Sequence, residues 1–459
     1  MHIKHLALGA IVGSLALAGC NLDIPDLNNP GLEQLENNPT TASINTATTG
    51  LLVGNRGAKA PITGLVNQLG ILGRESYDFD SADTRYVTEL IQGNLSKASP
   101  YGGAFWAGPY SNIRLANIIL HGVDKVADYS EANKQAIRGF VHTIVALELI
   151  TVITTHDDIG AVIDTDHPLG EPLGAFVPKA AVYAEINRLL DTAVTELTAG
   201  GAAFTFALSP GYIGFNTPMT FIKFNRAIRA RIAVYLKDYP TAMTALTASF
   251  LNDAPATLDL KAGVSYVYSL GAGDASNALI NPAIFAHPAL ATDVQKNGAA
   301  NDARYVAKID TLASSVVSGA DAKLQTTIKF KIYTNVSPIP VIRNEELILL
   351  KAEALWFTND HAGAMTALNL VRTVSGKLLA LDSVPADDTA FVDALLYERR
   401  YSLLYEGGHR WLDLRRFGRP LPLDSETHVR NVRYPVPQAE CDARPGEKAC
   451  MINSSDPVQ

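Results

Sequence analysis

Paired apolar stripes at helical spacing constrain the fold of this chain more than any other feature of its sequence. In the clearest pair, four apolar residues fall at i, i+3, i+7 and i+10, which is one face of a helix: Leu347, Leu350, Ala354 and Phe357. Polar residues at 358–360 interrupt the apolar pattern and could cap the N-terminus of a second helix, which carries a second apolar stripe. An apolar helix face must be buried against another element, so we expect packed helices.

Three helix pairs are predicted in this way, near residues 112–153, 179–237 and 342–374, and a last helix near 387–405. Small residues on the third pair allow its helices to approach closely, as in tetratricopeptide units, but a strict 34-residue period is absent. There is no convincing series of alternating strands. The predicted fold class is therefore mostly α, with tetratricopeptide-like helix pairs and a loop-rich irregular binding region packed against them.

Long insertions separate the helix pairs and contain much of the glycine, proline, aspartate and aromatic content. They are residues 74–110, 154–177, 198–216 and 252–338. Binding residues are commonly found on loops that a rigid scaffold holds, so a ligand site is expected in these insertions and not on the helix pairs.

The N-terminus is typical of an exported protein. A short basic start, an apolar run and small residues before Cys20 predict a lipoprotein signal peptide at 1–19, with Cys20 as the lipidated residue. The alternative is an ordinary signal with a chance cysteine. Residues 20–49 are polar and are predicted to be a tether, and residues 50–459 a single domain. No other stretch reads as membrane-spanning, since the apolar run at 145–155 is short and is expected to be a buried helix.

Charge and cysteine usage narrow the function classes further. The formal net charge is −8 and no basic stripe occurs, so no nucleic-acid partner is expected. Cys441 and Cys450 could close a small disulfide loop, as exported proteins permit, or they could be two free thiols. A zinc site is not expected, because no second ligand pair lies near them.

Two polar clusters have residue types that are also used in chemistry. Glu398 and Glu406 could be imagined as a glycosidase pair, but arginines crowd them and favour a structural ion-pair network, so no catalytic residue is assigned. The segment 154–177 contains weak candidates for a metal site, and its spacing matches no known loop: Asp157, Asp158, Asp164 and Asp166. A solvated polar loop is the preferred interpretation, with a structural Ca²⁺ as the alternative, and no other cofactor is expected.

Four motifs together resemble those of the SusD/RagB family of surface nutrient-binding lipoproteins. The main one is the run Tyr397 to Arg416, which holds a glutamate–arginine helix, a glutamate–glycine step and an arginine–tryptophan–leucine–aspartate segment. The others are Tyr434 to Glu440, Ile342 to Ala354 and Trp106 to Asn117. The chain departs from the family pattern at His156 to Ala161, where the family often has an aromatic–glycine–aspartate–proline segment.

The resemblance implies a binding protein and not an enzyme. It implies an outer-membrane location with a lipid anchor, a SusC-like TonB-dependent transporter as partner, and an oligosaccharide as the usual cargo, with peptides for some members. Two alternatives remain: a peptide-binding or purely transporter-directed scaffold of the same fold, and, less favoured, a glycoside hydrolase.

Aromatic side chains are the expected tools for binding sugars, because the apolar faces of a pyranose stack on them. The candidates for ligand binding in the insertions are Tyr77, Phe79, Asp80, Arg85, Tyr86, Tyr101, Tyr266 and Tyr268. The alternative for each ring is a place in the core. Trp106, Trp356 and Trp411 lie on motif helices and are predicted to be core residues.

Overall fold

The computed structural model of the protein describes residues 32–168 and 170–457. The predicted signal peptide, Cys20 and the first part of the tether lie outside the described residues. Sixteen α-helices occur in the described part of the chain. They are α1 (Leu32–Asn37), α2 (Thr41–Gly57), α3 (Leu65–Leu72), α4 (Arg85–Thr88), α5 (Ala107–Val123), α6 (Glu131–His156), α7 (Lys179–Thr198), α8 (Pro218–Tyr235), α9 (Tyr239–Thr247), α10 (Ala289–Thr292), α11 (Ala303–Lys308), α12 (Asn344–Phe357), α13 (His361–Val374), α14 (Asp388–Ser402), α15 (His409–Arg416) and α16 (Gln438–Asp442).

The three predicted helix pairs are confirmed as α5–α6, α7–α8 and α12–α13. Consecutive helices from α5 to α9 pack side by side, and α9 continues onto α12, so the pairs form one layered stack. Close approach is visible at Gly139 of α6, where an added Cβ would lie 2.6 Å from Leu197 Cγ of α7. Asp360 caps α13 by accepting a hydrogen bond from the backbone N–H of Gly363, as the polar break predicted.

In the part of the chain that the structure describes, ten short strands form five antiparallel two-stranded ladders outside the helix stack. They are β1 (Ser76–Asp78) with β5 (Ile284–Ala286), β2 (Ala161–Val162) with β3 (Phe176–Val177), β4 (Gly263–Tyr266) with β10 (Ile339–Arg343), β6 (Lys296–Asn297) with β7 (Ala300–Asn301), and β8 (Ile309–Val317) with β9 (Gln325–Phe330). The sequence did not predict these ladders. The longest strand, β8, is mostly exposed and therefore shows no run of buried alternate residues.

The predicted tether boundary differs from the structure. Helices α1 and α2 already begin at Leu32 and Thr41. Ile44, Thr48, Leu51 and Asn55 of α2 are buried at helical spacing. The Asn- and Thr-rich composition conceals this stripe, because two of its four members are polar.

Helix α6 is the one described helix that is long and apolar enough to cross a membrane, where the sequence analysis had found none. Its apolar window is 89% buried within the protein, because α5, α7 and α2 pack around it. The expectation of a buried helix at 145–155 is confirmed, and the apolar surface of α6 forms the centre of the largest hydrophobic core.

The C-terminal segment is closed by a disulfide between Cys441 and Cys450, which settles the choice against two free thiols. The cross-link lies beside a small core of Ile159, Val436 and Ala449. A loop of about ten residues has a closure entropy worth about 3 kcal/mol in the unfolded chain. We expect the Cys441→Ser, Cys450→Ser double variant to lose about 2–3 kcal/mol of unfolding free energy, measured by urea denaturation. A loss below about 0.5 kcal/mol would contradict this.

Candidate functional site

Strand pairing brings two distant insertions together at one surface. Tyr77 of β1 lies opposite Phe285 of β5, and the backbone N–H of Phe79 continues the ladder by donating to Ala283 O at 2.9 Å. The ring of Phe79 stacks on that of Tyr77 at 5.1 Å and contacts that of Phe285 at 5.6 Å. Phe79 and Phe285 are half-buried, so part of each ring is open to solvent.

Charged side chains follow Phe79 in the sequence. We define the aromatic face as Phe79, Asp80, Asp83, Arg85 and Phe285. Arg85 donates to Asp83 through Nε and Nη2, both at 2.8 Å, and this contact holds the pKa of Asp83 down at about 2. The Asp80 backbone N–H donates to Asp78 below it. The face thus combines two apolar rings with hydrogen-bond donors and acceptors.

A buried network fixes the aromatic face from below. Asp424 accepts a hydrogen bond from Tyr77 OH at 2.6 Å, pairs with Arg74 Nε at 2.6 Å and lies 2.7 Å from His287 Nε2. Burial opposes ionisation of Asp424, but His287 and Arg74 together hold its pKa below the usual range. Tyr77 on β1 and His287, which follows β5, share this one carboxylate, so the relative position of the two strands is well determined.

The pKa of Asp78, which also lies beneath the aromatic face, is shifted in the opposite direction to that of Asp424. Asp78 is 1% exposed and accepts from Asn67 Nδ2 at 2.8 Å, yet burial raises its pKa to about 6. Burial without a cationic partner disfavours the charged carboxylate.

The structure places the eight predicted ligand residues in two locations. Six of them converge at or beneath the aromatic face. Within this group Tyr77, Tyr86 and Tyr101 are buried, with Tyr86 and Tyr101 in ring contact at 5.0 Å. These three rings support the face from the core, while Phe79, Asp80 and Arg85 remain accessible. That the accessible ones contact a ligand stays a prediction.

Tyr266 and Tyr268 lie elsewhere, against α2. The hydroxyl of Tyr266 donates to Asn55 Oδ1 at 2.8 Å, and buried Tyr268 lies under the guanidinium of Arg56 at 5.4 Å. Phe285 was missed by the sequence analysis. The only local signal for it is the short apolar run at 283–286, which gives no indication of its distant partner.

The four weak metal candidates do not converge. Each of them faces a cationic or ionisable nitrogen: Asp157 faces Lys179 and Arg415, Asp158 faces Arg433, Asp164 faces His167, and Asp166 faces His121. Within residues 32–168 and 170–457, no group of three or more His, Cys, Asp or Glu side chains is arranged to hold a metal ion.

The imagined glycosidase pair is part of the ion-pair network. Glu398 is 1% exposed and pairs with Arg304 and Arg372, and Glu406 pairs with Arg343 and Lys308. Burial raises the pKa of Glu398 even though two arginines oppose it, which differs from the expectation that the arginines would dominate. A carboxyl this deeply buried cannot reach a glycosidic bond.

Comparisons with known proteins find similarity to the SusD family. A family model described as the SusD family matches residues 323–449. No curated protein is significantly similar to the chain.

Solved structures share the fold over nearly the whole chain. A SusD superfamily protein from Bacteroides vulgatus is 16% identical and has a TM-score of 0.65, over 90% of this chain and 98% of its own. The surface glycan-binding protein A from Bacteroides uniformis is 18% identical with a TM-score of 0.64, over 89% and 99%. A SusD-like carbohydrate-binding protein from Bacteroides fragilis is 15% identical with a TM-score of 0.64, over 90% and 100%.

Proposed function

We propose that the chain is a member of the SusD/RagB family, and from that premise that it is a nutrient-binding protein that captures a glycan and is not an enzyme. The observation that carries the proposal is the aromatic face, where Phe79 and Phe285 are in contact and partly exposed, and where the chain continues from Phe79 through Asp80 to the exposed Arg85. Apolar sugar faces stack on aromatic rings, and hydroxyls accept from a guanidinium or donate to a carboxylate. Two solved structures of the same fold are described as glycan- or carbohydrate-binding proteins, which supports this choice of ligand.

The anchor and the partner complete the proposal. Acylation of Cys20 would hold the protein at the outer membrane, because two or more acyl chains give stable attachment where one is marginal. A protein that binds a glycan without cleaving it must pass the glycan on. We therefore propose delivery to a SusC-like TonB-dependent transporter, and a pull-down of that transporter with the full lipidated chain tests this step.

Glycan binding is tested with the chain from residue 21 onward, made without the lipid. A glycan array followed by calorimetry is expected to show binding to one oligosaccharide class, with no breakdown of the sugar. Turnover of the bound sugar would overturn the non-enzyme proposal. Absence of binding to any glycan would overturn the glycan proposal and favour a peptide-binding or transporter-directed scaffold.

Removal of one ring from the aromatic face is expected to weaken glycan binding. Phe79→Ala and Phe285→Ala should each raise the Kd about tenfold, which corresponds to about 1.4 kcal/mol, because each removes one stacking surface. Ile213→Ala is the control, since Ile213 is 76% exposed and lies outside the face. Unchanged affinity in both folded phenylalanine variants would place the glycan elsewhere.

A further inference from the structure

A cavity of about 530 Å³ lies between α2, α5 and α6, apart from the aromatic face. Several residues in its walls are glycines, which have no side chain to fill the space. Gly50 and Gly57 of α2 and Gly108 of α5 line it, and a Cβ added at any of the three would meet nothing within 4 Å. Glycine inside a helix is less favourable than alanine, so the open space at Gly50 comes at a cost in helix stability.

The floor of the cavity is polar and almost fully buried. Glu148 of α6 is 3% exposed, and its Oε1 accepts from Asn55 Nδ2 at 2.9 Å and from Asn112 Nδ2 at 2.6 Å. Asn55 is held in turn by Tyr266 OH. Lys59, which lies in the turn after α2, is 6% exposed, and its ammonium donates to Thr151 Oγ1 at 3.2 Å. Three helices and one strand therefore contribute to this floor.

The polar network on the floor is incomplete. Among the described residues, Oε2 of Glu148 accepts no hydrogen bond, and Lys59 uses one of its three N–H donors. Burial raises the pKa of Glu148 and lowers that of Lys59, and the charge of each opposes the shift of the other. Glu148 and Lys59 both line the cavity, so the floor offers it the second carboxyl oxygen of Glu148 and the ammonium of Lys59, which also lies over the Tyr266 ring at 5.8 Å.

We propose that this cavity binds a small neutral polyhydroxylated molecule of the size of one or two sugar units. One hydroxyl donates to Glu148 Oε2 and a neighbouring hydroxyl accepts from Lys59 Nζ, since a hydroxyl can both donate and accept. A neutral ligand fits because Glu148 and Lys59 balance each other in charge, and Arg114, which also lines the cavity, pairs with Glu36. The volume lies within the range of small-molecule pockets, and the bare glycine walls leave room for the ring.

The site goes beyond the proposed function, which requires the aromatic face alone. The ligand chemistry is the same for a free monosaccharide and for the end of a glycan chain. The test therefore uses both as probes: neutral hexoses and pentoses, and oligosaccharides with the reducing end blocked. Glucuronate and glucosamine serve as charged counterparts of the hexoses.

Calorimetry on the chain from residue 21 onward is expected to show binding of at least one neutral probe, with the charged counterparts at least tenfold weaker. Gly50→Leu and Gly57→Leu place a side chain at positions where an added Cβ meets nothing within 4 Å, and they should weaken binding at least tenfold. Ala42→Leu adds the same side chain at an exposed position of α2 and is expected to bind as the unaltered protein does. Glu148→Gln should also weaken binding at least tenfold, while thermal unfolding verifies its fold.

The outcomes separate this inference from the proposed function. Neutral-probe binding that survives Phe79→Ala and is lost in Gly50→Leu supports the cavity, and the tighter of the two probe types identifies a free sugar or a chain end. Binding that Gly50→Leu and Gly57→Leu leave unchanged overturns the cavity site. If larger glycans bind but no neutral small probe does, the cavity site fails and the glycan-binding proposal stands.

Discussion

Replacing Asp413 with asparagine is expected to destabilise the protein by about 3–5 kcal/mol, the range for removal of one partner from a buried ion pair. Asp413 is 2% exposed and pairs with Arg399 Nε at 2.6 Å and Arg416 Nε at 2.9 Å. Arg416 keeps Glu353 as a second partner. Arg399 is 1% exposed, its two terminal nitrogens have no hydrogen-bond partner among the described residues, and Asp413 is the carboxylate that compensates its charge.

Urea denaturation measures this effect through the midpoint and slope of the transition. Asp393→Asn is the matched control: Asp393 pairs with Arg419 at 2.6 Å, but the two side chains are 64% and 31% exposed. An exposed pair contributes about 0–1 kcal/mol, so this control should change little. The double variant Arg399→Met, Asp413→Leu should lose less than Asp413→Asn, because it removes the buried guanidinium together with its carboxylate partner. A loss below about 1 kcal/mol in Asp413→Asn would show that the network is not electrostatically coupled.

The C-terminal charge run was predictable as structure only in part. Arg399 and Asp413 lie on consecutive helices and pair with each other. Glu398 instead pairs with Arg304 and Arg372, which lie far away in sequence. The helix pairs were predictable, since the periodicity of each stripe is local. Trp106, Trp356 and Trp411 are 3%, 2% and 0% exposed, which confirms them as core residues.

The candidate site was predictable only in part, because it depends on contacts between distant segments. Loop composition correctly indicated an aromatic cluster at 77–101. Whether each ring points inward is decided by the pairing of Tyr77 with Phe285, and nothing near Tyr77 in the sequence specifies that partner. The same holds for the cavity, where Lys59 and Glu148 meet through the packing of α2 on α6. The local sequence pattern is therefore enough to predict a helix, whereas a binding site depends on contacts that only tertiary packing creates.

Replacing Glu75 with glutamine is expected to stabilise the protein at alkaline pH. Glu75 is 1% exposed, and neither of its carboxyl oxygens has a hydrogen-bond partner among the described residues. Burial raises its pKa from 4.5 to about 7, with Arg410 and Arg400 opposing. The protonated carboxyl is tolerated in the fold and the ionised one is disfavoured. Stability that is fully present below pH 4.5 is therefore lost as the pH rises through about 7.

The size of the effect follows from the shift between unfolded and folded pKa values. At about 1.4 kcal/mol per pKa unit, ionisation of Glu75 lowers the unfolding free energy of the native protein by about 3 kcal/mol between pH 4 and pH 9. Glu75→Gln does not show this loss, because glutamine does not ionise. Unfolding free energies of the two proteins should agree within about 1 kcal/mol at pH 5 and differ by about 3 kcal/mol at pH 9. A difference that does not grow with pH would mean that Glu75 does not titrate in this range.

Glu346 provides a control of opposite sign within the same fold. It is 2% exposed and accepts two hydrogen bonds from Arg231, at 2.7 and 2.6 Å. Burial opposes ionisation, but the charge of Arg231 prevails and lowers the pKa of Glu346 to about 2. Its contribution is present above pH 4.5 and is lost as the pH falls through about 2. Glu346→Gln should therefore destabilise the protein at pH 9, where Glu75→Gln stabilises it, because Glu346 is hydrogen-bonded to a guanidinium, whereas the arginines near Glu75 make no hydrogen bond to it.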